Sequence, residues 1–321
     1  MQLPYSICLS LTQVQSNRSI IIDASIYGMG RGAGNLNTEL FTEYLNENHN
    51  ANYNLKPLLT IVDDILDDFY KKNYWGYSLP NYISAKNNAH PNYAGFLDDK
   101  KTLAVEDMEN IFQLMDEEKK VSYDKDYIEE LYIRYLASGK VQEEHKDELS
   151  ERLKDKKVIL VAPGKSSVEE KVKIENADGI VISVNFDYPN SEFVFLSNIR
   201  RFKELSEDSY GKAIVTSNIT SDKIYFQTKY RELLNNVESV RDNAGLMAIK
   251  FLMNYGVKEI LLAGFDGYSH ETKENYADKH MELISRNAVL DAFNEGMESV
   301  LKEYAKEINI NFLTTPRYVR L

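Results

Sequence analysis

The stretch KKVILVAPGKSSVEE (residues 156–170) puts a glycine, a lysine and two serines where an apolar run ends. Ser166 and Ser167 can cap a following helix, with Glu169 or Glu170 completing a capping box. Unpaired N–H groups at such an N-terminus attract phosphate, so Gly164, Lys165 and Ser166 are candidate contacts to a phosphorylated ligand. The turn is not a P-loop, because that motif's earlier glycine would fall at Ile159, and no GxGxxG occurs. A second glycine-rich stretch, SIYGMGRGAGNLNTEL (25–40), sets Gly28, Gly30, Gly32 and Gly34 ahead of Asn35. Those glycines allow tight turns and close backbone approach to a ligand, and Arg31 could pair with a carboxylate. The histidines at 49, 90, 145, 270 and 280 include no HxH pair, and no His/Cys/Asp cluster has zinc spacing. His90, ahead of Pro91, reads either as a base or as a histidine fixing a turn.

Three zones must position these residues. Residues 1–50 contain SIIIDASIY (19–27), whose consecutive isoleucines suit a strand buried on both faces, as in a barrel. Residues 51–155 read as helical. KPLLTIVDDILDDFY has Pro57 in a first turn and Leu58, Ile61, Ile65, Leu66 and Phe69 at helical spacing. Met108, Ile111, Phe112 and Met115 repeat the pattern, as do Ile128, Leu131, Tyr132 and Tyr135. The charged stretch 138–157 reads as a nearly core-free linker or an exposed helix. Residues 156–321 alternate short apolar runs (VILVAPG, GIVISVNF, EFVFLSN, KAIVTSN, EILLAGFD, INFLTT) with amphipathic helices over 244–254 and 288–307. That alternation specifies a doubly wound, Rossmann-like parallel α/β sheet. Ligands bind at the carboxyl ends of such strands, where strand order reverses. The strand ends at Gly164, Asn185 and Asp266 are therefore expected to converge.

At 321 residues the chain can bury more than one core. Its net charge of −12 opposes nonspecific binding to nucleic acid. The lone Cys8 excludes an internal disulfide framework and suits a cytoplasmic setting. No run is apolar enough to span a membrane, and the first residues lack the pattern of a signal peptide. The expected partner is a small-molecule substrate, with a homo-oligomer open.

IIIDASIYGMGRGAGNLNTELFTEYL, followed by WGYSLPNYISAKNNAHPNYAGFL (75–97), resembles the metallolyases related to hydroxymethylglutaryl-CoA lyase and 4-hydroxy-2-oxovalerate aldolase, over residues 9–137. The resemblance implies that residues 1–50 are the C-terminal remnant of a (β/α)₈ barrel followed by a helical region. It also implies that Asn35 is a ligand of Mg²⁺ or Mn²⁺ polarising a pyruvate carbonyl. Gln2 and Pro4 stand where that family has its HxH histidines, so this chain is not expected to hold the metal.

Four segments in order, APGKSS, SVNFD, NAGLMAIKFLMNYGVKEILLAGFDGY and INFLTTPRY, resemble bacterial lipooligosaccharide sialyltransferases and pterin-pyrophosphokinase-like proteins over residues 156–318. By that resemblance Gly164 and Asn185 contact a nucleotide-sugar, and Gly264, Asp266 and Tyr268 line the same pocket. His280 then serves as base on an acceptor hydroxyl, with His270 as the second choice. Tyr268 and Tyr276 can hydrogen-bond a departing phosphate, or can be solvent-exposed loop tyrosines. For Asp266 the readings are a helix cap or a ribose contact. The whole chain reads as an aldolase-like protein of surface-polysaccharide synthesis with a nucleotide- or nucleotide-sugar-binding domain. The alternatives are a sialyltransferase-like glycosyltransferase and a non-catalytic interaction module.

Overall fold

A computed structural model describes residues 10–11, 14, 17–30, 34–72, 74–139, 141, 144–281, 285 and 287–321. Gln2, Pro4, Cys8, Arg31 and Gly32 lie outside the described residues. The chain divides into two compact units, residues 1–101 with 105–131 and residues 102–104 with 132–321.

In the first unit the helices Leu79–Lys86, Pro91–Asp99 and Val105–Gln113 bury Ile83, Tyr93, Leu97, Met108, Ile111 and Phe112 against one another. His90 caps the second of them, its Nδ1 accepting the Asn92 N–H at 3.2 Å, which makes it a turn-fixing residue. The barrel-type strand expected over 19–27 is not formed. Ser25 makes a lone parallel bridge to Asn37, and Ile21 is 88% exposed. A strand buried on both faces needs neighbours to take its backbone N–H and C=O groups. Among the described residues this one has no sheet beside it. The stretch 56–72 is only partly packed: Ile65 and Phe69 are exposed, although the Phe69 ring lies 6.0 Å from that of Trp75, and a π-turn at Val62–Leu66 interrupts the helix.

The second unit is an α/β domain around one seven-stranded, all-parallel sheet. Its strands are β1 (Lys157–Val161), β2 (Ile180–Val184), β3 (Phe193–Leu196), β4 (Ala213–Thr216), β5 (Phe226–Thr228), β6 (Glu259–Ala263) and β7 (Asn309–Phe312). The order is β5-β4-β3-β2-β1-β6-β7, so β1 pairs with β2 on one side (Leu160 opposite Ile182) and β6 on the other (Leu160 opposite Leu262). The chain runs outward from β1 to β5, then returns to add β6 and β7 on the opposite side. This reversal of strand order makes the Rossmann-like crevice.

Alternate residues of the strands serve the two faces. On one face Ile159 and Val161 pack with Ile174, Leu261 and Ala263, and farther along that same face Val194, Leu196, Ala213 and Val215 pack with Phe202 and Ile219. Full burial of each large aliphatic side chain stabilises by roughly 1.5–3 kcal/mol. The helix Ala244–Asn254 is buried nearly all round, through Leu246, Met247, Ile249, Phe251 and Leu252. The charged stretch 138–157 is not core-free: it folds into the helix Lys146–Leu153, whose Leu149 and Leu153 are fully buried in the second unit. No helix among the described residues is long and apolar enough to cross a membrane.

Candidate functional site

A cleft of about 110 Å³ opens at the carboxyl ends of β1, β2 and β6. Its walls are Ala162–Gly164 after β1, Val184 and Asn185 at the end of β2, and residues 264–268 after β6. Residues 243–245 open a long helix there, and Asn275, Tyr276 and Met297 close the site. Of the residues singled out in the sequence, Gly164, Asn185, Gly264, Asp266, Tyr268 and Tyr276 meet in this cleft.

Two glycines let the turns after β1 and β6 cross. Gly164 N–H donates to Gly264 O at 3.1 Å, and Gly264 N–H donates to Thr314 Oγ1 at 2.9 Å. A Cβ on Gly264 would stand 2.9 Å from the Ala162 carbonyl carbon and nearer still to its oxygen, and Gly264 has φ +70°. Only a residue without a side chain fits both demands.

Asp266 is 2% exposed, and its carboxylate is already spoken for. Oδ2 accepts the Ser166 N–H at 2.9 Å, Oδ1 accepts the Ser166 hydroxyl, and that hydroxyl also meets Thr314 Oγ1 at 2.7 Å. Burial raises the Asp266 pKa, opposed by the hydrogen bonds from Ser166. The Ser166 N–H, expected to be open to a phosphate, is thus occupied by a carboxylate from 100 residues away. Asp266 is the cap of the short helix Ser166–Glu169. Lys165 also turns elsewhere, its Nζ lying 2.8 Å from Glu274 Oε1.

Asn185 does the opposite. Its backbone leaves β2 in the left-handed region (φ 65°), and its Oδ1 is buried with no hydrogen-bond partner. An unpaired buried acceptor costs about 1–3 kcal/mol, and a ligand donor entering the cleft would relieve that cost.

On the far wall Asn243 accepts the Gly245 and Leu246 N–H groups at 3.0 and 3.2 Å, a helix cap, and its Nδ2 reaches the Tyr268 hydroxyl at 3.5 Å. Tyr268 and Tyr276 meet edge to face with ring centres 6.5 Å apart. Burial raises the pKa of both phenols, and Tyr268 raises that of Tyr276 further, so at neutral pH they are uncharged O–H donors. Asn294 clamps the Tyr268 backbone, accepting its N–H and donating to its C=O, both at 2.7 Å. Asn243, Asn275 and Asn294 were not singled out in the sequence. Asn243 had a readable signal, standing as an N-cap before an apolar helical run, whereas the other two act through tertiary contacts.

His280 is not among the residues lining the cleft. It lies exposed on the turn Lys279–Met281, its N–H donating to Asp278 Oδ1 and its C=O accepting from Arg201. His270 is exposed too, with Nε2 at 2.7 Å from Asp291 Oδ1. Asn35 is an exposed loop clamp whose Nδ2 donates to Met29 O at 2.9 Å. Among the described residues no group of three or more His, Cys, Asp or Glu is placed to hold a metal ion.

Fold and cleft together define the second unit as a Rossmann-like α/β domain with a cleft at its switch point. No family model matches the sequence, and no curated protein does. Among solved structures, the sialyltransferase CstII from Campylobacter jejuni, in complex with a substrate analogue, cytidine-5'-monophosphate, is similar at 17% identity and a TM-score of 0.34. The match covers 50% of this chain and 80% of that one. At that level it assigns no residue a role. The aldolase-like reading of residues 9–137 gains no support from these comparisons, nor from a barrel sheet or metal site among the described residues.

Proposed function

We propose that the α/β unit binds a nucleotide or nucleotide-sugar in the switch-point cleft and works as a glycosyltransferase-like enzyme. The observation that carries this reading is the buried, unpaired Asn185 Oδ1 at the carboxyl end of β2, inside a cleft that also holds two neutral phenols. The free acceptor suits an amino or hydroxyl group of a base or sugar. The phenols and the Asn243 amide suit a phosphate ester. The lining contains no lysine or arginine, and its one carboxylate is already capped. Neutral donors of this kind fit one phosphate better than a diphosphate, whose second charge would call for charge-assisted bonds.

In such a transfer the acceptor oxygen bonds to the anomeric carbon as the bond from that carbon to the phosphate oxygen breaks. The hydroxyl proton passes to a base, and Tyr268 and Tyr276 donate to the leaving phosphate. His280 lies on the turn Lys279–Met281 outside the lining, so it can serve as that base only once the turn moves toward the cleft.

The test is titration of isotope-labelled protein with cytidine and uridine monophosphates, followed by NMR. The amides of Gly164, Asn185 and Gly264 should shift before any residue of 55–131. Saturating nucleotide that leaves those amides in place defeats the proposal. Binding with no release of nucleotide from a nucleotide-sugar would reduce it to a binding module.

A further inference from the structure

We infer that residues 267–281 form a strap held over the cleft by the ion network Lys165–Glu274–Arg317–Glu169, and that ligand exchange requires this latch to open. The inference rests on the nucleotide-binding reading for its ligand, and on the structure alone for the latch.

Size is the first reason. The cleft holds about 110 Å³, whereas sites for small molecules run to roughly 300–1,000 Å³. The cleft is open to solvent on one side, and it encloses a whole nucleotide only if a wall moves. The walls ending β1, β2 and β6 are fixed by the parallel ladder. Of the walls outside the sheet, residues 243–245 open the buried helix Ala244–Asn254 and Met297 sits on the helix Asn287–Tyr304. The strap, by contrast, is anchored in no long helix and supplies Gly267, Tyr268, Asn275 and Tyr276 to the lining.

The pattern of attachment is the second reason. The strap is braced within itself, because the Asn275 side chain bonds both the N–H and the C=O of Ser269. Its start is tethered by the Asn294 clamp on Tyr268. Toward the β1 turn it is held by one backbone bond, Ala277 N–H to Pro163 O at 2.9 Å, and by charge. Glu274 takes Lys165 on Oε1 and Arg317 on Oε2, each at 2.8 Å, and Arg317 also reaches Glu169. These four side chains span the β1 turn, the helix after it, the strap and the segment after β7. Arg201 adds a bond to the His280 carbonyl at 3.2 Å.

Their exposure decides what controls the latch. The Glu274 side chain is 35% exposed and that of Lys165 27%, so water and salt reach the network. Partly exposed pairs are weak and screened by ions. A latch of that kind opens often and opens faster at high ionic strength.

Two measurements on the whole chain test this. Hydrogen–deuterium exchange on the ligand-free protein should speed up about five-fold across 267–281 in Glu274→Gln, as expected from losing an ion pair of this exposure. One molar salt should do the same to the wild type, with β1 and β6 unchanged. Lys302→Gln, which removes the exposed pair with Glu298 on another helix, should leave the strap as it was. Unchanged exchange in both Glu274→Gln and high salt overturns the latch. The second measurement is stopped-flow association of cytidine monophosphate, which should be faster in Glu274→Gln by a similar factor. Equal association rates with a loosened strap overturn its gating role. If cytidine monophosphate binds neither protein, the nucleotide reading and the gate both fall, while the exchange data still decide the latch.

Discussion

Replacing Gly264 with alanine tests the crossing on which the cleft is built. An alanine there must hold φ +70°, at about 1–2 kcal/mol for a left-handed residue bearing Cβ. Its Cβ would also press on Ala162, 2.9 Å from the carbonyl carbon, and come within 3.0 Å of Ser167 Cβ. Backbone is what it meets, so no side chain can swing aside, and the ends of β1 and β6 must part. That endangers three bonds: Gly164 N–H to Gly264 O, Ala162 N–H to Ala263 O, and Gly264 N–H to Thr314. At about 1 kcal/mol each, losing two of them with the backbone strain gives a total of roughly 3–4 kcal/mol. For a unit of this size the melting temperature should fall by about 6–16 °C. Gly211→Ala is the control, since its added Cβ meets nothing within 4 Å, and its effect should stay within about 1 kcal/mol. Thermal and urea unfolding by circular dichroism read both. A Gly264→Ala loss below about 1 kcal/mol would mean the strand ends do not cross as described.

Asn185→Gly should weaken cytidine monophosphate binding about ten-fold or more by calorimetry while leaving the free protein as stable or more so, because it removes an unpaired buried acceptor and a left-handed side chain. A variant that is destabilised yet binds normally would contradict this. Asp266 has a pKa raised by burial above 3.8, so the folded state favours its protonated form. Its contribution is fully present below pH 3.8 and is lost as pH rises through the raised value. Urea unfolding at pH 4 and pH 7 should show the wild type losing ground to Asp266→Asn as pH rises, and a constant gap would refute the assignment. Limited proteolysis should spare 146–153, where Leu149 and Leu153 are fully buried; a first cut inside the helix would show that it is not docked.

Six of the seven strands were legible as short apolar runs with helices between them, and that alternation was enough to imply a parallel, doubly wound sheet. β5 was not, because its three residues, Phe226–Thr228, are too few to show a period. At the cleft, the strand-end rule pointed to Gly164, Asn185 and Asp266, which do meet there. It could not say which way Asp266 faces. Its partner Ser166 lies 100 residues earlier, so capping and ligand contact look alike in one dimension. The same limit explains residues 19–27. Three consecutive isoleucines have the pattern of a buried strand wherever they occur, but a strand exists only beside others. Here Ser25 finds a single bridge. His280 illustrates a third kind of gap: sequence order put it near the site, whereas the short turn at Lys279–Met281 carries it outside the lining.

Departures from local rules help to separate a binding site from mere architecture. Left-handed residues other than glycine occur at seven further described positions, among them Asn50 and His145, which end or begin helices and need no ligand to explain them. Unpaired buried polar atoms among the described residues are Asn37 Oδ1, Asn185 Oδ1 and the hydroxyls of Tyr188, Tyr225 and Tyr304. Asn185 alone belongs to both groups, and of those five atoms only its oxygen belongs to a residue lining the cleft. Each departure costs on the order of 1–3 kcal/mol. Asparagine tolerates the left-handed region better than most residues, so the unmet hydrogen bond is the larger departure, and under the proposed function a ligand donor repays it. The carboxyl end of β2 is also where a doubly wound sheet presents its ligands. Backbone strain, an unmet hydrogen bond and topology therefore point to the same few ångströms, and they do so without appeal to any relative.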